Sequence, residues 1–264
     1  AIGAVAIAAI AAESCSNPSD IPIEFETRVD SIGYMMPNVA GDTIYTAAYY
    51  SVVWPKKLGD GNFDSLRDSL LVYTFGDHGA TNFEEATRQF MMAGVYDLTE
   101  NKDSLPTYVK VPYETAYDAD NRNFAGINSE VTLLTPKLLV VQITTDSYFY
   151  GMAHGMQNTH FLNYSLVDNK LLNAENMFKP GNEQAILDLI NASAKVAYPT
   201  EGMLFQEPIQ SLGNVQIENN AIVFVYQPYE VAPYSTGIVS IPVNRYDIQR
   251  FLTSDVLNAL SQNE

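Results

Sequence analysis

One cysteine and three histidines in 264 residues remove several chemistries at once. A lone thiol excludes an internal disulfide framework and any cysteine-rich metal site. Basic residues are also scarce: 14 Lys and Arg stand against 31 Asp and Glu, a net charge of −17. That balance repels phosphate backbones and removes the electrostatic term that dominates nucleic-acid affinity, so nucleic acid is excluded as a partner. Acids exceed bases 18 to 8 over residues 1–127 and 13 to 6 over residues 128–264. The charge therefore belongs to the whole folded surface, where it favours solubility and encounter with basic partners. No segment holds the roughly 20 apolar residues of a spanning helix, which predicts a soluble body.

Catalytic motifs are missing as well. His154 and His160 flank the turn Gly151-Met152-Ala153-His154-Gly155-Met156, but their spacing matches no zinc pattern. The competing structural role is an imidazole bonding backbone carbonyls across the turn. His78, in Gly76-Asp77-His78-Gly79, reads as a loop residue. There is no Gly-x-Ser-x-Gly elbow and no glycine-rich phosphate loop. Asp60-Gly61-Asn62-Phe63-Asp64 and Asp118-Ala119-Asp120-Asn121-Arg122 hint at calcium. Each fails as an EF-hand, the first for want of its glycine and bidentate glutamate, the second because Arg122 sits at a ligand position. No metal and no cofactor is expected. Carboxylates from distant segments could still converge in a cleft, so an envelope hydrolase or deacetylase centred on His154 or His160 stays open as the alternative function.

Apolar residues make up 47% of the chain, with 17 Tyr and 12 Phe, enough for a packed core and against a disordered chain. Residues 1–12 are apolar, uncharged and too short to span a bilayer. They read as the hydrophobic region of a signal peptide. Ala12-Glu13-Ser14-Cys15 followed by Ser16-Asn17-Pro18-Ser19 resembles a bacterial lipoprotein box, with Cys15 as the lipidated residue; Glu13 departs from the usual small or apolar residue there. The other reading is an apolar N-terminal element with a buried cysteine. The expected division is 1–19 as signal remnant, lipobox and tether, 20–150 as an N-terminal α+β domain, and 151–264 as a C-terminal α+β domain.

Along the body, residues 43–54 are rich in β-branched and aromatic side chains and predict a core strand. Helices are predicted over 63–75 and 82–93, the second capped by Asn82, with Phe83, Ala86, Phe90 and Met91 on one face. Residues 101–128 read as a polar, proline-punctuated connection. Strands follow at 138–150 and 159–167, then a helix at 183–197. A hairpin of 221–226 with 236–241 leads to a short C-terminal helix carrying Phe251, Leu252, Val256, Leu257 and Leu260. Strands and helices interleave without a βαβ repeat, so the fold class is α+β, with mainly antiparallel sheets, packed helices and two closely associated subdomains.

The most distinctive segment is Tyr226-Gln227-Pro228-Tyr229-Glu230-Val231-Ala232-Pro233-Tyr234-Ser235-Thr236-Gly237. Prolines stiffen the crossing and tyrosines offer contact area with a polar tip. Tyr226, Tyr229, Tyr234 and His154 are the candidate binding residues. Against this stands a packing role, with the rings beneath the hairpin and their hydroxyls capping loop carbonyls.

This segment, together with Ala153-His154-Gly155, Asn163-Tyr164-Ser165-Leu166 and Leu172-Asn173-Ala174-Glu175-Asn176-Met177-Phe178, resembles a bacterial envelope domain of unknown function. That domain, number 3298, is found in the extracellular part of a lysozyme-sensing anti-sigma factor and in Bacteroides-type lipoproteins. Residues of about 130–255 carry the resemblance, and the stretch before them looks like its 4163-type N-terminal companion. The resemblance implies an α+β fold, an extracytoplasmic place and, as partner, an envelope protein or glycan, a basic protein such as lysozyme among them. The chain departs from the sensor in having no transmembrane helix or sigma-binding segment. Membrane association is expected through the lipid alone.

Overall fold

The computed structural model describes residues 23–37, 41–58, 63–96, 108–200, 202–205 and 208–261. Cys15 with its tether and residues 60–62 of the first acidic loop lie outside them. Strands β1 (Ile23–Pro37) and β2 (Thr43–Leu58) pair antiparallel along their length, and β3 (Val109–Val111) adds to the other edge of β1. Strand β4 (Arg122–Leu134) joins β2 in parallel; β5 (Leu138–Tyr148), β6 (Met156–Ser165) and β7 (Lys170–Leu172) extend the sheet antiparallel. The order is β3-β1-β2-β4-β5-β6-β7. Strands β8 (Asn214–Ile217), β9 (Ala221–Tyr226) and β10 (Val239–Asn244) make a second, antiparallel sheet. The helices are α1 (Asp64–Phe75), α2 (Phe83–Tyr96), α3 (Tyr113–Tyr117), α4 (Glu183–Ala197), α5 (Arg245–Ile248) and α6 (Ser254–Leu260). The class is α+β with mainly antiparallel sheet, as the interleaved pattern predicts.

The run Leu138-Leu139-Val140-Val141 shows how the layers are arranged, since all four side chains are buried. Successive strand residues point to opposite faces. Leu138 and Val140 pack with Ile186 and Ile190 of α4 and Phe224 of β9, while Leu139, Val141 and Ile143 pack with Leu66 and Leu70 of α1 and Phe83 of α2. The first part of β5 is therefore hidden on both sides, which is why residues 138–141 are continuously apolar rather than alternating. The turn at 149–155, which holds the expected boundary between the two domains, connects β5 to β6 within this sheet.

Local chemistry starts and stops the helices. Asn82 accepts a hydrogen bond from Glu85 N (2.9 Å) and Glu85 Oε2 accepts from Thr81 N (3.1 Å), satisfying donors that the first turn leaves free. Helix α4 spans the expected residues and buries Ile186, Leu187, Ile190 and Ala194. Three expectations are corrected. Residues 109–128 hold β3, α3 and the start of β4 rather than a polar connection, because Arg122 to Asn128 gain their ladder from β2, a partner distant in sequence. In the second sheet the hairpin strand begins at Val239, since residues 234–236 form a 3-10 turn closed by Gly237 at φ 73°. The C-terminal helix is two pieces: Leu252 is extended and bridges Phe178, and Thr253 N donates to Met177 O (2.9 Å), so the backbone leaves the helix to pair with the chain before α4.

Candidate functional site

Strand β7 covers only residues 163–165 of β6, which leaves the earlier part of that edge with open backbone groups. Two side-chain amides close it, and a third ties β6 to the small sheet. Gln227 accepts from Thr159 N (2.8 Å) and donates to Thr159 O (2.7 Å); Asn214 Oδ1 accepts from Phe161 N (2.8 Å). Asn163 donates to Val215 O (2.7 Å) and accepts from Ile217 N (2.8 Å). Each amide copies a peptide group's donor and acceptor, so the small sheet docks on the large one through polar bonds with defined geometry. Gln227 is the second residue of the tyrosine and proline segment. Its two bonds hold that segment over the β5–β6 turn.

There the structure brings together three of the four candidate residues. The rings of His154 and Tyr234 stack with centroids 3.8 Å apart, and Tyr229 lies beyond at 5.6 Å from Tyr234. Tyr234 Oη donates to Gly155 O (2.7 Å), and His154 Nδ1 lies 2.8 Å from the same oxygen. A carbonyl only accepts, so Nδ1 carries the proton and Nε2 accepts from the Tyr229 hydroxyl at 3.1 Å. Tyr229 has φ 70°, a left-handed conformation that costs a bulky residue about 1–3 kcal/mol and tends to persist at functional sites. It is half exposed, and the neighbouring turn exposes Phe149, Tyr150 and Met152 as well. The result is a rigid aromatic platform rimmed by apolar side chains.

Tyr226 is not part of it. Its ring is fully buried on β9 and its hydroxyl donates to Ser211 O (2.8 Å), while burial, reinforced by Glu230, pushes its pKa up. The packing role thus describes Tyr226, and the carbonyl-capping role describes the hydroxyl of Tyr234 and the imidazole of His154.

His160 lies elsewhere. It lines a cleft of about 650 Å³ between α1, α2 and the sheet, with Tyr73, Phe75, Phe90, Thr145, Ser147 and Asn214 among its walls. Among the described residues Asp146 is the one carboxylate on that lining, and the pleat turns its side chain to the opposite face of β5, where it accepts from Gln157 (2.8 Å). The two carboxylates a hydrolytic cleft requires are therefore not assembled, among the described residues, on that lining. Among the described residues no group of three His, Cys, Asp or Glu side chains is placed to hold a metal. No described helix is long and apolar enough to cross a membrane.

Burial lowers the His160 pKa from its ordinary 6.5, with Glu230 opposing. A proton then binds the unfolded chain more readily than the folded one, so the stability present above the unfolded value falls as pH drops towards the folded one. The denaturation midpoint is expected to fall between about pH 7 and pH 5, and His160→Gln should flatten that part of the profile.

A mainly antiparallel α+β protein with an exposed aromatic platform is the class these features define. Residues 175–246, a stretch that includes the tyrosine and proline segment, match the family described as a protein of unknown function, DUF3298. The match does not reach the stretch expected to hold the 4163-type companion. A crystal structure of a DUF3298 family member from Bacteroides fragilis superposes with a TM-score of 0.71 at 20% identity, covering 92% of this chain and 99% of that one. A DUF3298 family protein from Pseudomonas aeruginosa PAO1 gives 0.61 at 16% identity, covering 90% and 97%. These likenesses establish the fold. Among curated proteins none matches the chain.

Proposed function

We propose that the chain is a binding protein of the bacterial envelope, held outside the cytoplasm by a lipid on Cys15. Its His154, Tyr234 and Tyr229 platform engages a surface protein or cell-wall glycan. The observation that carries the reading is Tyr229, kept half exposed at φ 70° where glycine would fit without strain. Aromatic side chains held in one conformation give binding surfaces large contact area at low entropic cost. The net charge of −17 favours a basic partner of lysozyme type through steering.

Titrating the protein with lysozyme and with peptidoglycan fragments, at low and moderate salt, tests this directly. Tyr229→Gly should weaken the interaction at least about tenfold, or about 1.4 kcal/mol. Its stability should stay within about 1 kcal/mol of the parent, because relief of strain offsets the lost ring. Unchanged binding in that variant, or no binding to either ligand, would reject the platform. Cys15→Ser should move the protein from the membrane to the soluble fraction of cells expressing the full precursor; a wild-type protein already soluble there would reject the anchor.

A further inference from the structure

The cleft that holds His160 is separate from the platform, and we propose that it is a second binding site, shaped for a neutral saccharide. Its volume of about 650 Å³ falls in the range of small-molecule sites. One wall is aromatic: Tyr73 and Phe75 at the end of α1, and Phe90 of α2. The floor is kept low by Ala125, which pairs with Ser147, while Gly126 faces the other side of the sheet, where a side chain would collide with the Tyr49 ring.

The remaining side is polar. Thr145, Ser147 and His160 project from the same face of β5 and β6 as Ile143, which is buried below them. Asn214 spends its carbonyl oxygen on Phe161 N, so its two amide protons remain for a ligand. No Lys or Arg lines the cleft among the described residues, and the Asp146 carboxylate is turned away. A phosphate or carboxylate ligand would therefore be desolvated without a counter-charge. A metal would lack oxygen and nitrogen ligands in number. A pyranose suits the arrangement, since its C–H face packs on aromatic rings while its rim hydroxyls both donate and accept. Thr145, Ser147, His160 and Asn214 offer donors and acceptors for that rim.

The test uses the whole chain labelled for amide NMR, titrated with glucose, N-acetylglucosamine and N,N′-diacetylchitobiose, with inorganic phosphate as the anionic comparator. At least one sugar is expected to bind saturably and to shift the amides of Tyr73, Gly126, Ser147 and His160. Thr145→Phe, which fills the cleft, should lower that affinity at least about tenfold. Ser147→Ala, a change too small to disturb folding, should lower it several-fold. Tyr229→Gly should leave it unchanged, so this site and the platform can fail independently. The proposal is overturned if no sugar shifts those amides at millimolar concentrations, if phosphate binds there as well as the sugars do, or if Ser147→Ala binds like the parent.

Discussion

Replacing Asn163 by leucine is expected to remove about 4 kcal/mol of folding stability, far more than the loss of one surface polar residue. The side chain is 1% exposed and serves Val215 O and Ile217 N, with a longer contact of 3.4 Å to Leu172 O. Leucine fills the space but leaves a buried donor and a buried acceptor unpaired, each costing about 1–3 kcal/mol. Urea denaturation should show a lower midpoint with an unchanged slope, the mark of lost stability rather than an altered unfolded state. Asn163→Asp sharpens the test. A carboxylate can accept from Ile217 N but cannot donate to Val215 O, so this variant should be least stable at neutral pH and recover partly in acid as the carboxyl gains a proton. If Asn163→Leu unfolds within about 1 kcal/mol of the parent, the amide link between the sheets contributes nothing beyond shape.

Val140→Asp and Val141→Asp are each expected to prevent folded protein from accumulating, although the residues are adjacent and point in opposite directions. Val140 packs against the core of α4 and β9, and Val141 against that of α1 and α2. An unpaired carboxylate forced into either core costs several kcal/mol, comparable with the whole stability of a domain. In a strand with one solvent face, one of the two changes would be mild. Gln142→Glu, one residue further on at a half-buried position, should cost under about 1 kcal/mol. The check is the yield and circular dichroism of the purified variants; a soluble, native-like spectrum for either valine variant would contradict the two-faced arrangement.

Much of the architecture was legible because the responsible forces are local. Asn82 and Glu85 announce the start of α2, and the spacing of Ile186, Leu189 and Ile190 marks one face of α4, on which Ile186 and Ile190 are buried and Leu189 is half-buried. Strand β1 carried a readable signal too: Ile23, Phe25, Thr27 and Val29 alternate with Glu24, Glu26, Arg28 and Asp30. That alternation is the period of a strand, though it lies beside the tether and competes with the stronger apolar run at 43–54. Strand β4 was harder. Its first half is Arg-Asn-Phe-Ala-Gly-Ile-Asn, which only the parallel pairing with β2 turns into sheet.

The tyrosine and proline segment could be singled out from sequence, but not the division of labour within it. Tyr226 and Tyr229 are three residues apart and of one type, yet one is buried on β9 and the other caps the platform. Asn163 between Leu162 and Tyr164 was a further hint, since asparagine is disfavoured inside strands and its presence there points to a partner. The partners, Val215 and Ile217, lie more than fifty positions away.

Composition and short-range pattern alone determined the acidic character, the α+β class and the positions of α1, α2, α4 and β5. These follow from charge, capping and periodicity, which act over a few residues. The tertiary structure alone decided that β5 is shared by two cores, that His154, Tyr234 and Tyr229 stack while Tyr226 is sealed away, and that His160 faces a different cleft. Such facts depend on which distant backbone groups satisfy one another, and on the direction each side chain takes once they do.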